Sequence, residues 1–353
     1  MAKFLLNFAK ILPMRNGGDK VLLLPTGGIG DNAMAISVYQ KCKEMYGDNL
    51  YILGGNKEIA DYLEIKYLKR NLKNTYKIFR TKYGKIIDLC TWREHKYINY
   101  LNGKEIIGYD ELKKEDKNYS WFEKNKLQYK TKKNYTKIIT GENYEYMVDH
   151  YKHYYEELFH EKSKEIKINR KKLEKKDINN VIAIGLYSAG EEKNYPNEKW
   201  CEIFKYILKN YSKADIYLMG KGTKDFDVAE SIVNFLKDSR IKNKVDKYTL
   251  TETINVLLHS KLFIGIDSSL YNIAYILRKK NICILSQIDG KRFEHTKYCK
   301  IIKSPEMSCA RCKGHCIREI NGECVKKIPV EQIIQAIEDY NIDEVGNNLW
   351  KKK

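Results

Sequence analysis

Short apolar runs that alternate with helix-length segments constrain the fold of this chain more than any other feature. In the first half, an apolar run at 20–24 leads through a glycine-rich loop into a helix-compatible stretch ending at Tyr46, followed by another apolar run at 50–53. This strand–loop–helix–strand order is the unit of a parallel sheet with helices on its faces. A further strand is predicted at 86–89 and a helix at 144–160.

A second alternation of the same kind begins at Val181. The predicted strands are 181–186, 215–220, 262–266 and 282–285, and the predicted helices are 198–211, 225–237, 251–260 and 270–278. Strands that are apolar along their whole length belong in parallel sheets covered on both faces. The sequence therefore predicts an α/β protein with two Rossmann-like domains that face each other across a cleft.

The length of 353 residues is too great for one ordinary hydrophobic core and suits two domains. We place the first domain at 1–178 and the second at 179–328. Residues 329–353 are predicted to form a closing helix, which Pro329 starts, and a basic tail.

The charge of the chain is strongly positive, with 65 Lys+Arg against 46 Asp+Glu and a net charge of +19. A surplus of this size indicates an anionic partner, but it does not distinguish nucleic acid, a membrane surface and a phosphorylated small molecule. Residues 66–96 hold ten basic side chains against Asp88 and Glu94, so nearly half of the surplus lies there. An ordinary solvated face would explain this segment equally well.

The cysteines and the apolar segments bear on the compartment. No stretch approaches the ~20 apolar residues that cross a bilayer, and residues 1–12 lack the cleavage site of a secretory signal. The apolar side chains of that segment share one helical face, which suits a helix packed on the protein or a contact with a membrane surface. Five of the nine cysteines are scattered, mostly in apolar surroundings, as reduced core cysteines are. We therefore expect the protein in the cytoplasm.

The glycine-rich loop Gly27-Gly28-Ile29-Gly30-Asp31 follows the first strand and opens a helix. Its backbone N–H groups, including those of Gly28 and Gly30, can hold a phosphate or another oxyanion. The loop is neither a dinucleotide fingerprint, whose third glycine position holds Asn32 here, nor a P-loop. Two alternatives stay open: a tight turn whose glycines only satisfy backbone geometry, and an Asp31 that caps the helix.

Two more polar loops follow strands in the second half. The loop at 188–196 contains Ser188 and Lys193, and a lysine there can meet a diphosphate as a point charge. The segment Asp267-Ser268-Ser269 follows a buried strand at the carboxyl edge, where open α/β sheets bind ligands. Helix capping alone would also explain Asp-Ser-Ser. The coincidence of three polar loops at the carboxyl ends of strands favours a phosphate-bearing ligand.

These loops resemble those of glycosyltransferase family 9, the heptosyltransferases of lipopolysaccharide core assembly and their relatives, which have a GT-B fold. The matching segments, in the family's order, are 23–31, Lys-Asn-Tyr-Pro at 193–196, Phe-Ile-Gly-Ile-Asp-Ser-Ser-Leu at 263–270 and the cysteine-rich tail before Ile328-Pro329-Val330. Three positions depart from the family: Tyr195 replaces a tryptophan, Ser269 a glycine and Asn272 a histidine. These departures bear on the donor more than on the reaction class.

The resemblance implies an inverting glycosyltransferase that takes a sugar from a nucleoside-diphosphate sugar, with ADP-heptose the suspected donor and no catalytic metal or other cofactor. Asp31 would be the base that takes the proton of the acceptor hydroxyl. Lys193 and Ser188 would hold the donor diphosphate. The other donor-site residues would be Gly28, Gly30, Asp225, Asp267, Ser268, Ser269 and Asn272.

In the family the first domain meets the acceptor, so the basic segment would face an anionic glycolipid, lipopolysaccharide or lipooligosaccharide core, at the inner face of the membrane. The acceptor-binding residues would be Lys66, Lys69, Arg70, Arg80 and Arg93. Another donor sugar, a protein acceptor and a relative that binds nucleotide without catalysis remain as alternatives. A non-enzymatic nucleic-acid binder with a zinc loop is disfavoured, because it would not need the three polar loops.

Four cysteines cluster before the last helix, at Cys309, Cys312, Cys316 and Cys324. Their spacing suits a tetrahedral metal site, and four protein ligands would make that site structural because no position is left open. Zinc is the default for four sulfurs, while iron stays open because some related protein-modifying heptosyltransferases carry a four-cysteine iron-binding finger. His315 could replace one ligand. Reduced thiols or a disulfide pair are the alternatives.

Overall fold

The computed structural model describes residues 15–69, 71–91, 95, 97–110, 133–141, 147–163, 178, 180–286, 296–304, 316 and 318–341. The chain divides into two compact units, Met1–Lys167 and Ile168–Lys353. This division falls earlier in the chain than the predicted boundary between residues 178 and 179. In these ranges, no helix combines the length and the apolar content that a membrane-spanning helix needs.

A parallel sheet of seven described strands lies at the centre of the first unit. The strands are β1 Arg15–Asn16, β2 Val21–Leu24, β3 Leu50–Leu53, β4 Lys66–Leu68, β5 Thr81–Asp88, β6 Asn102–Asp110 and β7 Lys137–Thr140. Their order is β4-β3-β2-β5-β6-β7, with β1 beside β5, and every pairing is parallel. The order reverses between β2 and β5, so the carboxyl ends of these strands form the switch point at which open α/β sheets bind ligands.

Five helices accompany this sheet in the described residues. They are α1 Ile29–Met34, α2 Ile36–Tyr46, α3 Lys57–Tyr62, α4 Leu72–Phe79 and α5 Met147–Phe159, with 3₁₀ turns at Gly47–Asn49 and Ile98–Tyr100. The helix-compatible stretch between the glycine-rich loop and Tyr46 is helical as predicted, but it forms two helices, because Ala35 ends α1 and begins α2. At φ −84° and ψ 5° the backbone of Ala35 leaves the helical region, so the hydrogen-bond ladder restarts there.

Tyrosine hydroxyls join helix α5 to the end of strand β5. Tyr151 Oη donates to the carbonyl of Leu89 at 3.2 Å, and Tyr154 Oη donates to the carbonyl of Asp88 at 3.1 Å. The Asp88 side chain is 0% exposed, and its Oδ2 accepts a hydrogen bond from Tyr135 Oη at 2.5 Å. Asp88 is therefore an interior residue that orders the carboxyl end of β5, although the sequence showed it only as an acid within a basic segment.

The second unit is built on a parallel sheet of six described strands. The strands are β8 Val181–Gly185, β9 Asp215–Met219, β10 Ile241–Asn243, β11 Leu262–Ile266, β12 Asn281–Leu285 and β13 Cys299–Lys303. Their order is β10-β9-β8-β11-β12-β13, and all pairings are parallel. Every residue of the central strands β8 and β11 is buried. The order reverses between these two strands, which places a second switch point at their carboxyl ends.

The last helix among the described residues belongs to the core of this unit. The helices here are α6 Asn197–Asn210, α7 Thr223–Leu236, α8 Leu250–His259, α9 Ser269–Ile276, α10 Glu323–Lys326 and α11 Val330–Glu338, with a 3₁₀ turn at Glu191–Lys193. Ile333 and Ile337 of α11 are fully buried, and Tyr340 Oη donates to the carbonyl of Asn281 at 3.0 Å. Because a fully buried isoleucine contributes about 1.5–3 kcal/mol, α11 stabilises the second unit itself.

Candidate functional site

A lysine and an aspartate from two different loops meet at the switch point of the second unit. Lys193 lies in the loop after β8, and Asp267 directly follows β11. Lys193 Nζ lies 2.7 Å from Asp267 Oδ2, and the two side chains are 18% and 5% exposed. The structure thus brings together two residues that are far apart in the chain and that the sequence assigned to one donor site. The buried carboxylate of Asp267 holds the ammonium group of Lys193 in a fixed position at the end of the sheet.

The loop that carries Lys193 is ordered by its own side chains. The backbone N–H of Ser188 donates to Asn194 Oδ1 at 2.8 Å, and Asn194 Nδ2 donates back to the carbonyl of Ser188 at 3.3 Å. The hydroxyl oxygen of Ser188 accepts a hydrogen bond from the Gly190 N–H at 3.4 Å. Ser188 therefore stabilises the loop in this structure, and its half-buried side chain lies at the same strand end as Lys193.

Two buried polar atoms at the start of helix α9 have no hydrogen-bond partner in the described residues: Ser268 Oγ and Asn272 Oδ1. Ser268 occupies the N-cap position by its backbone, but its hydroxyl makes no capping hydrogen bond. Capping therefore does not account for this serine, contrary to the simpler of the two sequence interpretations. Buried polar groups are nearly always satisfied, so atoms of this kind beside a helix N-terminus are typical of a ligand-binding position. Ser269 is exposed at the first turn of α9.

Sequence reasoning missed Ser286, which follows β12 directly. Ser286 is 4% exposed, and its Oγ also lacks a hydrogen-bond partner in the described part of the chain. Strands β11 and β12 pair in register as far as Ile266 and Ile284, so Ser286 and Ser268 stand two residues beyond that last pair. A serine immediately after an apolar run was the signal in the sequence that could have identified it.

Asp225 follows the neighbouring strand β9 by six residues and lies on the first turn of α7. Its Oδ2 accepts a hydrogen bond from the Lys221 N–H at 3.0 Å. Burial raises the pKa of the Asp225 carboxyl, and nearby Asp246 adds to that effect. Lys224, one residue earlier, lies 3.3 Å from Glu191, so the Asp225 turn contacts the loop that carries Lys193. Within this unit the structure thus gathers the predicted donor residues at one edge of the sheet.

Asp31 lies at the switch point of the first unit, after β2. It occupies the third position of α1, and its Oδ2 accepts a hydrogen bond from the N–H of Gly28, the N-cap residue, at 3.1 Å. Asp31 is therefore not the N-cap residue, but its carboxylate makes the hydrogen bond to the N-cap backbone that the third residue of a capping box makes. Gly28 is exposed and Gly30 is buried. A Cβ at Gly27 would clash with Asp31 Oδ2, so a larger residue there would force the carboxylate to move from its present position.

The three predicted acceptor-binding residues that the structure describes, Lys66, Lys69 and Arg80, do not lie together. Lys66 begins β4 and donates to the carbonyl of Asp48 at 2.6 Å, while Arg80 precedes β5 and donates to Tyr76 Oη at 2.9 Å. Both therefore lie at the amino ends of their strands, opposite the edge that carries Asp31. Lys69 follows β4 at the carboxyl edge and is exposed. Arg70 and Arg93 lie outside the described residues.

A comparison with protein-family models decides the family. The model of glycosyltransferase family 9 (heptosyltransferase) matches residues 78–319, which is more than half of the chain. The chain belongs to glycosyltransferase family 9. The family predicted from the loop motifs is thereby confirmed, and the matched segment contains Lys193, Asp225 and Asp267 but begins after Asp31.

Individual relatives agree with the family. Lipopolysaccharide heptosyltransferase 1 from Campylobacter coli is 27% identical over 133 residues, which is 37% of this chain and 38% of that relative. The E. coli heptosyltransferase WaaC solved with ADP-2-deoxy-2-fluoro heptose is similar at a TM-score of 0.63 and 13% identity, over 91% of this chain and 99% of that one. E. coli ADP-heptose lps heptosyltransferase II is similar at a TM-score of 0.64 and 12% identity, over 92% and 99%. The two structural comparisons confirm the predicted fold class, two parallel-sheet α/β domains of the GT-B type.

The cysteine cluster of this family member is only half within the described residues. Cys309 and Cys312 lie outside them, and no group of three possible metal ligands occurs inside them. Cys324 is buried, and Cys316 Sγ accepts a hydrogen bond from the Gly322 N–H at 3.3 Å. The turn between these two cysteines packs on the donor-side loop, because a Cβ at Gly322 would lie 2.6 Å from the carbonyl oxygen of Glu192. The metal site stays a prediction, and its described half contacts the residue before Lys193.

Proposed function

We propose that the protein is an inverting heptosyltransferase that moves heptose from ADP-heptose to a lipopolysaccharide or lipooligosaccharide core. The observation that carries the proposal is the Lys193–Asp267 pair at the start of helix α9, within a chain of glycosyltransferase family 9. The named relatives support the choice of substrates, since one acts on lipopolysaccharide and another was solved with an ADP-heptose analogue.

The proposed reaction exchanges one glycosidic bond for another. The acceptor oxygen attacks the anomeric carbon of heptose from the side opposite the nucleotide, and the bond from that carbon to the diphosphate oxygen breaks. The electron pair leaves with ADP, the configuration inverts, and Asp31 takes the proton of the acceptor hydroxyl. The base must be within hydrogen-bond reach of that hydroxyl. The place of Asp31 at the carboxyl edge of the sheet, beside an exposed Gly28, supports its assignment as the base.

The leaving diphosphate gains negative charge as the bond breaks, and Lys193 is the residue that we assign to it. An ammonium group has three donors, so one can remain on Asp267 while the others bind phosphate oxygens. The N–H groups at the start of α9 and the hydroxyl of Ser268 would add neutral donors at the same place. Charge-assisted contacts that strengthen as the charge develops lower the barrier without a catalytic metal.

The rest of the donor site follows from the same edge of the second sheet. We assign Asp225 to the ribose hydroxyls, because it follows the strand next to β8 and its turn contacts the Lys193 loop through Lys224 and Glu191. Asn272, which replaces the family's histidine, has a buried Oδ1 that could accept a hydrogen bond from the donor sugar. Ser269 and the backbone of Gly28 and Gly30 complete the proposed contacts.

On the acceptor side we assign Lys69, together with Arg70 and Arg93, to the anionic groups of a glycolipid core. The cytoplasm is the compartment that we propose, with peripheral contact at the inner face of the membrane. The seven cysteines in the described part of the chain are thiols rather than disulfides, which suits a reducing compartment.

A structural zinc or iron on the four clustered cysteines completes the proposal. Cys316 and Cys324 fit it as two free thiols, one before the turn that contains Gly322 and one in helix α10 directly after it.

A ligand-shift screen tests the donor first. ADP and ADP-heptose should raise the melting temperature, and Lys193→Ala should weaken that effect. A preference for GDP or UDP would redirect the donor sugar, and no response to any nucleotide would favour a function other than glycosyl transfer. A mass measurement on the acceptor then distinguishes a lipooligosaccharide core from a protein acceptor.

A further inference from the structure

The loop that carries Asp31 is held from the inside by a buried amide. Asn32 is 1% exposed, and its Nδ2 donates to the carbonyls of Gly27 at 3.3 Å and Gly28 at 2.7 Å. Its Oδ1 accepts a hydrogen bond from the hydroxyl of Tyr39, which is fully buried. We propose that Asn32 and Tyr39 are positioning residues, whose hydrogen bonds fix the glycine loop so that the Asp31 carboxylate faces the acceptor hydroxyl.

The contacts form an unbroken path from Tyr39 to the carboxylate. The Gly28 N–H donates to Asp31 Oδ2 at 3.1 Å, and Gly27 passes so close that a Cβ there would lie 2.4 Å from the same oxygen. The place of the carboxylate therefore depends on the backbone of Gly27 and Gly28. Those two residues are also the ones whose carbonyls Asn32 holds. A shift of that backbone would move Asp31 Oδ2 with it.

The residue types at both positions suit this task. An asparagine can donate twice from Nδ2 and accept at Oδ1, and here it uses both capacities. An apolar side chain at position 32 would remove the hydrogen bonds that the Asn32 amide makes to the carbonyl of Gly27 and to the buried hydroxyl of Tyr39. The loss of a hydrogen-bond partner in the interior is costly. Burial raises the pKa of the Tyr39 phenol well above its usual value, so this hydroxyl remains a donor over the working pH range. Since Tyr39 stands on α2, the hydrogen bond also ties α2 to α1 across the break at Ala35.

The inference rests on the proposed function, in which Asp31 is the base. Steady-state kinetics with ADP-heptose and a heptose-deficient lipooligosaccharide core test the positioning role of Asn32 and Tyr39. Asn32→Ala should lower kcat about 10²-fold, since a small misplacement of a reacting group can cost that much. The KM for ADP-heptose should change much less than kcat, because the proposed diphosphate and ribose contacts are in the second unit and only the backbone contacts of Gly28 and Gly30 belong to this loop. Tyr39→Phe should lower kcat by roughly tenfold and should have no further effect in the Asn32→Ala background, since it acts through Asn32.

A matched control separates positioning from general loosening of the unit. Val38→Ala truncates a fully buried side chain of α2, next to Tyr39 in the sequence, and removes no hydrogen bond, because the valine side chain has no polar atom. It should lower the melting temperature but leave kcat near the wild-type value. Amide hydrogen exchange over residues 26–32, which needs no substrate, should become faster in Asn32→Ala and Tyr39→Phe but not in Val38→Ala.

Each outcome decides the inference. Unchanged kcat and unchanged exchange in Asn32→Ala would overturn it, and so would an equal loss of kcat in Val38→Ala. If Asp31→Asn kept full transfer, the assignment of the base would fail instead. If Asp31→Asn abolished transfer while the Asn32 and Tyr39 variants retained it, only the positioning role would fail.

Discussion

Substitution of Lys193 by alanine should have two separate effects, one on stability and one on nucleotide binding. The lysine is 18% exposed and its partner Asp267 is 5% exposed, so Lys193→Ala leaves a buried carboxylate without its lysine. Removal of one partner of a buried ion pair costs about 3–5 kcal/mol, and the residual exposure of Lys193 places this pair near the lower end, ~3 kcal/mol. For a unit of this size, that loss lowers the melting temperature by roughly 6–12 °C.

A second ion pair in the same unit provides the control. Lys242 Nζ lies 2.7 Å from Asp215 Oδ2, the same distance, but the two side chains are 39% and 34% exposed. Lys242→Ala should therefore cost less than about 1 kcal/mol. The double variant Lys193→Ala/Asp267→Asn should recover much of the lost stability, because the buried charge is removed as well.

The nucleotide effect is measured on the same variants by calorimetric titration with ADP. A hydrogen bond to a charged group contributes about 1.5–3 kcal/mol, so Lys193→Ala should weaken ADP binding by roughly 10- to 150-fold. Lys242→Ala should bind ADP like the wild type. An unchanged ADP affinity in Lys193→Ala would refute the diphosphate role. A loss of stability no larger than that of Lys242→Ala would refute the burial argument.

Three further predictions concern the surroundings of the site. Gly322 has φ 70° and lies against the backbone of Glu192, so Gly322→Ala should lower the free energy of unfolding by roughly 1–3 kcal/mol and should weaken ADP binding. Gly18→Ala is the control, because Gly18 has φ 60° but no atom within 4 Å of the added Cβ, and it should leave the ADP affinity intact. Equal ADP affinities in the two variants would contradict this prediction. Burial raises the pKa of Asp225, so folding disfavours its ionised form and Asp225→Asn should be more stable than the wild type at neutral pH. In thermal melts this difference in stability should vanish below pH 3.8, where the carboxyl is protonated in both the folded and the unfolded state. A difference that does not depend on pH would contradict the prediction. Elemental analysis should find about one zinc or iron per chain, lost in Cys324→Ser but not in Cys42→Ser, while less than roughly a tenth of an equivalent in the wild type would reject the site.

The buried strands of the second unit were the part of the fold that the sequence predicted best. The predicted strand at 262–266 is β11, Leu262–Ile266, and the predicted helix at 251–260 is α8, Leu250–His259. A short unbroken apolar run between turns is typical of a strand buried on both faces, so the sequence pattern alone was sufficient to predict these strands. Strand β6, Asn102–Asp110, was not predicted, because Lys104 and Glu105 interrupt its apolar pattern.

For the site, motif order in the chain identified the loops but not the contacts within them. The Lys193–Asp267 contact and the buried Ser268 hydroxyl depend on strand order, since β8 and β11 are neighbours in the sheet but not in the sequence. The basic segment at 66–96 shows that closeness in the sequence does not place residues at one site. Lys66 and Lys69 are close in sequence yet lie at opposite ends of β4, because charge density along a chain does not tell at which edge of a sheet a side chain stands.

Transfer of heptose is the most direct test of the account. Purified protein is incubated with ADP-heptose and a heptose-deficient lipooligosaccharide core, and the acceptor mass and the released ADP are measured together. The wild type should add heptose with equal release of ADP, and Asp31→Asn, which keeps the size of the side chain, should do neither. Absence of transfer by the wild type with ADP-heptose, or undiminished transfer by Asp31→Asn, would contradict the account.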